Sequence, residues 1–362
     1  MVKAIAALLM SISPELESLT CGPLGFYDPH LLITNPDDIE SYPTEQMLLR
    51  VNDSDDPTNM TCLQNLRQVK LVEDDRYHHQ YDLFHSMRHF HRLPSMESVN
   101  VTFMCRDRDR FEFTPQSSNI SKIEITHSNL STDHLAVLIC SAKVLKEFTY
   151  GALTREDGQL VQLYAPDVIR ALLVHRASLE HLDMDFESQL SCEDVPYAPH
   201  VDDDGYSDEF LQGYTWDLDI KGIRAAVTRL IASQVGSLQD FKAMTHLTMG
   251  LGFLVSMARG IKDSRISTVD EAQSPAEFSL ADRLPPNLEY LCIRGYRKGK
   301  SELIDRDIGD LVTRFEDGRL PLLRELTGVD EWITNAKSVN DPDDDDDDLL
   351  VDEEEDWSGY EA

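Results

Sequence analysis

The stretch Ala171-Leu-Leu-Val-His-Arg-Ala-Ser-Leu-Glu-His-Leu-Asp-Met184 decides the fold of this chain of 362 residues. Its second half, Leu179-Glu-His-Leu182-Asp-Met184, has apolar residues at its first, fourth and sixth positions. The alternation of apolar and polar residues at its end is typical of a short strand with one buried face. From Pro166 to Arg176, apolar residues recur at three- and four-residue spacings, as in an amphipathic helix. The sequence here therefore predicts a helix, a turn and a short strand.

The same six-residue pattern recurs along the chain, with other apolar residues in place of some leucines. The nine matches are Leu16–Cys21, Leu66–Leu71, Met96–Val101, Ile120–Ile125, Leu145–Tyr150, Leu179–Met184, Met244–Met249, Leu288–Ile293 and the weaker Leu323–Gly328. A single unit of helix and strand cannot bury its own apolar face, whereas stacked units can. The repeat therefore predicts an α/β fold, a leucine-rich-repeat solenoid (horseshoe) with a parallel β-sheet on the concave face and helices on the convex face.

The distances between matches predict how the chain is divided. We expect one irregular leucine-rich-repeat solenoid over residues 1–337, with insertions near 28–59, 187–219 and 260–281, where matches are far apart. Apolar periodicity predicts additional helices, over Ala4–Met10, Tyr81–His91, Thr132–Ala142 and Ile220–Ala232. We expect the N-terminal segment to be such a helix rather than a signal peptide.

The charge of the chain is concentrated in two segments. The formal net charge is −33, from 66 Asp and Glu against 33 Lys and Arg. Residues 338–362 include 13 acidic residues and residues 183–219 include 12, and neither segment contains Lys or Arg. We expect a disordered acidic C-terminal tail over 338–362, because like charges repel and little apolar surface is available for a core. This charge opposes direct binding to nucleic acid or to an anionic membrane, and it favours basic partners.

The cysteines and the hydropathy indicate the compartment. Six cysteines lie far apart without a C-x-x-C pair, which suits buried thiols in a reducing environment better than disulfides or a zinc site. No run approaches the roughly 20 apolar residues that a membrane span requires. We therefore expect a cytoplasmic or nuclear protein, or one found in both.

The densest group of histidines is a candidate metal site. On the predicted helix, His85 and His89 share a face at metal-ligand spacing. Ser86 stands where a metallohydrolase of the H-E-x-x-H type needs its glutamate. We favour a packing helix in which Met87 and Phe90 are buried and the histidines face water. An acidic segment from His200 to Leu211 resembles part of a calcium loop but lacks the final glutamate. We therefore predict no catalytic residue, no metal and no cofactor, and expect a protein that is not an enzyme.

The candidate binding surface comes from the strands of the predicted solenoid. In each match, the residue between the last two apolar positions should point away from the core, onto the concave face. These residues are mostly small, polar and varied, which suits protein recognition over an extended surface better than a catalytic pocket. We predict partner binding by Lys70, Asn100, Glu124, Thr149, Asp183 and Thr248.

Parts of the chain resemble a known family. The segment from Ala171 to Met184, Leu284-Pro-Pro-Asn-Leu-Glu-Tyr-Leu-Cys-Ile-Arg-Gly295 and Leu320-Pro-Leu-Leu-Arg-Glu-Leu326 resemble the leucine-rich-repeat region of fungal F-box proteins. The resemblance extends over roughly residues 1 to 335 and implies that the repeats recognise a substrate of a cullin ubiquitin ligase. Because Met1 already lies in a predicted repeat helix, we expect docking to a Skp-type adaptor only if an F-box stands upstream of it.

Two other functions remain open. A leucine-rich-repeat protein with an acidic tail is similar in layout to the acidic leucine-rich nuclear phosphoproteins, which implies binding to histones or other basic proteins. A hydrolase that uses His85 and His89 is the least favoured alternative. We rank substrate recognition in the manner of F-box ubiquitin-ligase receptors first and the acidic-tail function second.

Overall fold

The computed structural model describes residues 2–22, 43–52, 62–72, 81–82, 87–102, 104–105, 113–128, 130–152, 163–186, 221–261 and 279–334. The helices are α1 Val2–Ser11, α2 Pro43–Asn52, α3 Thr132–Ser141, α4 Ala165–Leu173, α5 Lys221–Ala232, α6 Leu251–Arg259 and α7 Glu302–Glu316. The strands are β1 Ser18–Cys21, β2 Gln68–Leu71, β3 Tyr81–Asp82, β4 Ser98–Thr102, β5 Met104–Cys105, β6 Lys122–Ser128, β7 Glu147–Ala152, β8 His181–Asp185, β9 His246–Gly250, β10 Tyr290–Arg294 and β11 Glu325–Thr327.

Nine of these strands form one parallel sheet. Their order across the sheet is β1-β2-β4-β6-β7-β8-β9-β10-β11, which is also their order along the chain. Each of the nine sequence matches contains one of these strands. Within the described residues the sheet is open, with β1 and β11 as its outer strands. The predicted α/β fold with a parallel sheet is therefore confirmed.

The strands bury alternate side chains, as the sequence pattern predicts. In β7, Phe148 and Tyr150 are buried, and Thr149 between them is partly exposed. The first apolar residue of each match also joins the core, as at Leu145 and Leu179, both fully buried. Each fully buried leucine contributes about 1.5–3 kcal/mol. Helices α3 and α4 pack against each other beside this apolar face, and α6 contacts β9 and β10.

Local signals determine where the helices begin. The side chain of Ser131 accepts a hydrogen bond from the backbone N–H of His134, which caps α3. Asp133 lies in the first turn of α3 and Asp167 in the first turn of α4. Pro166 stands at the start of α4, where its missing N–H costs no hydrogen bond. The helices predicted near residues 4–10, 132–142, 166–176 and 220–232 are confirmed.

Neighbouring strands are joined by a repeated pair of backbone hydrogen bonds just before each strand begins. Glu180 and His181 both donate to the carbonyl oxygen of Lys146, at 2.8 and 3.0 Å. Thr245 and His246 donate in the same way to Glu180, at 2.9 and 3.1 Å. The arrangement recurs between every pair of neighbours in the nine-stranded sheet. Each strand therefore starts level with the one before it, and the register is uniform through both rows; β6 and β7 shift register only after Ile125.

The predicted helix over Tyr81–His91 is wrong at residues 81–82 and 88–91, whereas Met87 is helical. Tyr81 and Asp82 form β3, which pairs with β5. Residues 88–92 form turns, in which the N–H of Phe90 donates to Met87. Strand pairing and burial outweigh the apolar periodicity here, which is a weak local preference. His85 lies outside the described residues.

The predicted exposure is also wrong for the two histidines of this segment that the structure describes. His89 is fully buried and His91 is 5% exposed. Met87 and Phe90 are buried, as predicted.

Several predictions fall wholly or partly outside the described residues. These are the insertion near 187–219, most of the insertions near 28–59 and 260–281, the acidic tail over 338–362 and the calcium-like segment. Helix α2 lies inside the insertion near 28–59. None of the helices that the structure describes is long and apolar enough to cross a membrane.

Candidate partner-binding face of the sheet

The predicted partner-binding residues lie side by side on the face of the sheet opposite the buried strand residues. Neighbouring strands pair them in turn across the sheet, in the order Lys70, Asn100, Glu124, Thr149, Asp183 and Thr248. We call this line the first row. Lys70 and Glu124 are exposed, and the other four are partly exposed. Cys292 continues the row on β10 but is buried, with 6% of its surface exposed.

A second row of side chains, two residues earlier in each strand, was missed by our sequence prediction. Its members are Ser18, Gln68, Ser98, Lys122, Glu147, His181, His246, Tyr290 and Glu325. All are exposed or partly exposed. The signal was present, because the strand alternation extends back through the residue before the second apolar position of each match. The candidate binding face therefore consists of two parallel rows.

The middle of the second row is electrostatically paired. Lys122 lies between two carboxylates, with its Nζ 3.0 Å from Glu147 and 3.8 Å from Glu97. The hydrogen bond to Glu147, together with the charge of that carboxylate, raises the pKa of Lys122. In the first row, the Asn100 amide donates to the Glu124 carboxylate on the next strand. Lys122 is thus paired within the face, but the three carboxylates Glu97, Glu124 and Glu147 outnumber it and leave this region acidic.

Three rings on neighbouring strands form what we call the aromatic ladder, consisting of His181, His246 and Tyr290. The ring centroids of His181 and His246 are 4.3 Å apart, and those of His246 and Tyr290 are 5.9 Å apart and nearly parallel, at 27°. Both imidazoles are exposed, and Tyr290 is partly exposed. The ladder gives this end of the face flat, rigid surfaces that are both apolar and able to form hydrogen bonds.

An arginine crosses over a strand beside the ladder. Arg294 on β10 is paired in register with Gly250 on β9. Its guanidinium reaches β8, with Nη1 2.7 Å from Asp183 and 3.6 Å from Asp185. Because Gly250 has no side chain, the arginine can lie across β9. One cation is thus shared by two carboxylates, which leaves this part of the face acidic.

Other reactive side chains in the described residues are engaged in the fold. Ser131 Oγ lies 2.7 Å from His134 Nδ1, but this serine caps α3 and His134 is buried. Burial raises the pKa of Cys140 to about 12 and that of Cys21 to about 11, so both thiols stay protonated at neutral pH. Across the described ranges, no set of three or more His, Cys, Asp or Glu is arranged to hold a metal ion.

Comparison of the chain with models of known protein families found no match, and comparison with curated proteins found none either. The function must therefore be inferred from the residues on the exposed face of the sheet. These residues offer two ordered rows, an aromatic ladder and an acidic patch bridged by Arg294.

Proposed function

We propose that residues 1–337 form an irregular leucine-rich-repeat solenoid that acts as a non-enzymatic protein-binding module, with the two rows on its concave face. The observation that carries the proposal is the unbroken register of both rows from β1 to β11. At about 4.8 Å per strand, nine strands present a surface about 38 Å long. A surface of this length suits another protein better than a small molecule, which needs a concave pocket.

The strongest contacts should come from β8, β9 and β10. Aromatic and arginine side chains are enriched among the residues that dominate binding energy at protein interfaces. Tyr290 and Arg294 place two such groups on β10, and the imidazoles of His181 and His246 lie beside them on β8 and β9. Because Asp183 and Asp185 surround the arginine, a partner with a basic or hydrogen-bond-donating segment fits this region.

The cellular role that we propose is substrate recognition in the manner of F-box leucine-rich-repeat ubiquitin-ligase receptors, in the cytoplasm or nucleus. Its support is the resemblance of the repeat segments, together with a sheet that carries one strand for each match. A Skp-type adaptor is a second partner if an F-box stands upstream. In this role a captured protein is degraded, so its abundance should rise when the receptor is removed.

The test compares substitutions on the exposed face of the sheet with a substitution on helix α7. Chemical cross-linking in cells, with quantitative mass spectrometry, is performed on the wild-type chain and on Glu124→Lys, His246→Ala and Glu316→Lys variants. Glu316 is an exposed residue of α7 and serves as the matched charge-reversal control. We expect the same proteins to be lost by both face variants and kept by the control, and to accumulate in cells that lack this chain. Equal capture by all variants would contradict binding through this face.

A second candidate function rests on the acidic tail over 338–362, with its 13 carboxylates. A polyanionic segment attracts histones and other basic proteins through contacts that salt screens. Binding of histones to the wild-type chain should then fall steeply between low and physiological salt. Deletion of 338–362 should abolish this binding and leave the face-dependent partners unaffected. Retention of histones by the deletion variant would exclude the tail as their site.

A further inference from the structure

We propose that His181 and His246 chelate one divalent transition-metal ion, of the Zn²⁺, Cu²⁺ or Ni²⁺ class, on the exposed face of the sheet. The two residues are register partners on adjacent strands, β8 and β9. Their ring centroids are 4.3 Å apart, and both side chains are exposed. Neighbouring imidazoles on rigid strands suit a chelating pair, because imidazole is a preferred ligand of these ions.

The hydrogen bonds around His246 determine which of its nitrogens is available. The hydroxyl of Thr245 donates its proton to the carbonyl oxygen of Glu180, at 3.3 Å. The same hydroxyl oxygen lies 2.9 Å from Nδ1 of His246 and can accept a hydrogen bond from the tautomer that carries its proton on Nδ1. In the neutral ring Nε2 is then unprotonated and carries the lone pair. A ligating histidine whose other nitrogen donates to a fixed oxygen is the usual arrangement at metal sites.

The rest of the coordination shell comes from solvent or from a bound partner. Within the described residues there is no third His, Cys, Asp or Glu arranged with the pair, so the protein supplies two ligands and leaves the other positions open. Glu147 and Tyr290 flank the pair in the second row, and the net charge of −33 attracts cations to the surface. The site differs from a structural zinc site, which has four protein ligands.

Metal chelation does not depend on the proposed protein-binding function, and the ions themselves are the probes. Cu²⁺ is added to the full chain at one equivalent, and the number of equatorial imidazole nitrogens is read by electron paramagnetic resonance. Ni²⁺ affinity is measured by isothermal titration calorimetry. We expect two imidazole nitrogens in the wild type and one in His181→Asn or His246→Asn. Either substitution should weaken the tightest Ni²⁺ site at least about tenfold, because chelation is lost.

Two further variants separate this site from the other histidines of the chain. His127→Asn removes another exposed imidazole of the sheet and should change neither measurement; asparagine tolerates the positive φ of 50° at this position. Thr245→Val removes the oxygen that orients His246 and should weaken Ni²⁺ binding about tenfold, with Thr245→Ser restoring it. Circular dichroism of each variant establishes that it is folded. Unchanged Cu²⁺ spectra and Ni²⁺ affinity in both His181→Asn and His246→Asn would overturn the proposal.

Discussion

Arg294 and Asp183 form a two-point ion pair that spans an intervening strand. Nη1 of the arginine lies 2.7 Å from Oδ1 of the aspartate, and Nη2 lies 3.4 Å from Oδ2. The two residues belong to β10 and β8, so the pair bridges β9 at Gly250. Arg294 is 20% exposed, which limits screening of its charge by solvent. The pair therefore joins β8 and β10 of the candidate face through side chains that pass over β9.

This link should contribute measurably to stability. In a double-mutant cycle of Arg294→Gln and Asp183→Asn, we expect each single substitution to lower the free energy of unfolding by about 1 kcal/mol. The coupling energy between Arg294 and Asp183 should be about 0.5–1 kcal/mol. It is smaller than for a buried pair because the Asp183 side chain is 39% exposed and solvent screens its charge. Urea denaturation measures both quantities. The matched control is Arg324 with Glu289, a 2.9 Å pair whose arginine is 76% exposed, which should show less coupling. Equal coupling in the two cycles would contradict a special role for the bridge.

Gly328 should tolerate no side chain. Its φ is +79°, and a Cβ added there would overlap the carbonyl oxygen of Ile293 on β10. We expect Gly328→Ala to lower the free energy of unfolding by at least about 2 kcal/mol, because strain and overlap add. Gly318→Ala is the matched control, since Gly318 has a φ of +69° and no atom within 4 Å of the added carbon. Gly318→Ala should lower the free energy of unfolding by about 1 kcal/mol. A similar decrease in both variants would contradict the predicted overlap at Gly328.

Two buried histidines should make the fold sensitive to acid. Burial lowers the pKa of His91 to about 4 and also lowers the pKa of His175. Nδ1 of His175 accepts a hydrogen bond from the backbone N–H of Leu145, and its Nε2 bonds to the carbonyl oxygen of Ile139. Unfolded histidines have a pKa near 6.5, so between about pH 6.5 and 4 the unfolded state binds more protons than the folded state. The contribution of these histidines to the free energy of unfolding is therefore complete above about pH 6.5 and is lost as the pH falls from about 6.5 to about 4. His91 alone should account for about 3 kcal/mol at pH 4.

The measurement is the urea midpoint of unfolding as a function of pH. Replacing His91 with Gln should lower stability at pH 7 and reduce the slope between pH 6.5 and 4. Replacing the exposed His127 with Asn should leave that slope unchanged. Carboxylates titrate in the same acidic range in every variant, so the difference between variants isolates the histidine. Identical slopes in wild type and His91→Gln would refute this origin of the acid sensitivity.

Asn119 should tie the segment before β6 to the segment before β4. Its side-chain amide donates to the carbonyl oxygens of Arg92 and Leu93, at 3.2 and 2.9 Å. We expect Asn119→Ala to lower the free energy of unfolding by about 1–2 kcal/mol, since two carbonyl groups lose a donor. Asn65→Ala, near the edge of the sheet, removes one bond of 3.1 Å to Pro14 and should cost about half as much. Thermal and urea unfolding of the two variants measure these decreases. A larger decrease in the free energy of unfolding for Asn65→Ala than for Asn119→Ala would contradict the prediction.

The main sheet was predictable from the sequence because its signal is repeated. Nine matches with the same apolar spacing predict nine strands, and each of them is present, with these apolar residues buried in the inner matches and partly buried in the first. The weaker ninth match has Gly328 in its sixth position instead of an apolar residue. A side chain there would overlap the carbonyl oxygen of Ile293, which explains the glycine. The failure at Tyr81–His91 has a different cause, because a helical period of apolar residues also fits buried turns.

The candidate site was only half predictable. The first row follows from alternation within each match, and the second row follows from the same rule extended by two residues. The bridge from Arg294 to Asp183 was not predictable, because 110 residues separate the two along the chain and their contact depends on Gly250 lying between. The burial of His89 was likewise hidden, since a segment with several histidines does not reveal which of them point into the core.

The uniform register of the sheet has a consequence for the shape of a bound partner. Neighbouring members of a row are about 4.8 Å apart, whereas alternate residues of an extended peptide are separated by about 6.6 Å. A peptide laid across the strands in extended form therefore loses alignment with the row after one or two contacts. One turn of an α-helix rises about 5.4 Å, so residues one turn apart meet successive strands with a mismatch of only about 0.6 Å at each step. The spacing of the rows thus favours a helical ligand that lies across the strands, with one face touching every strand it passes.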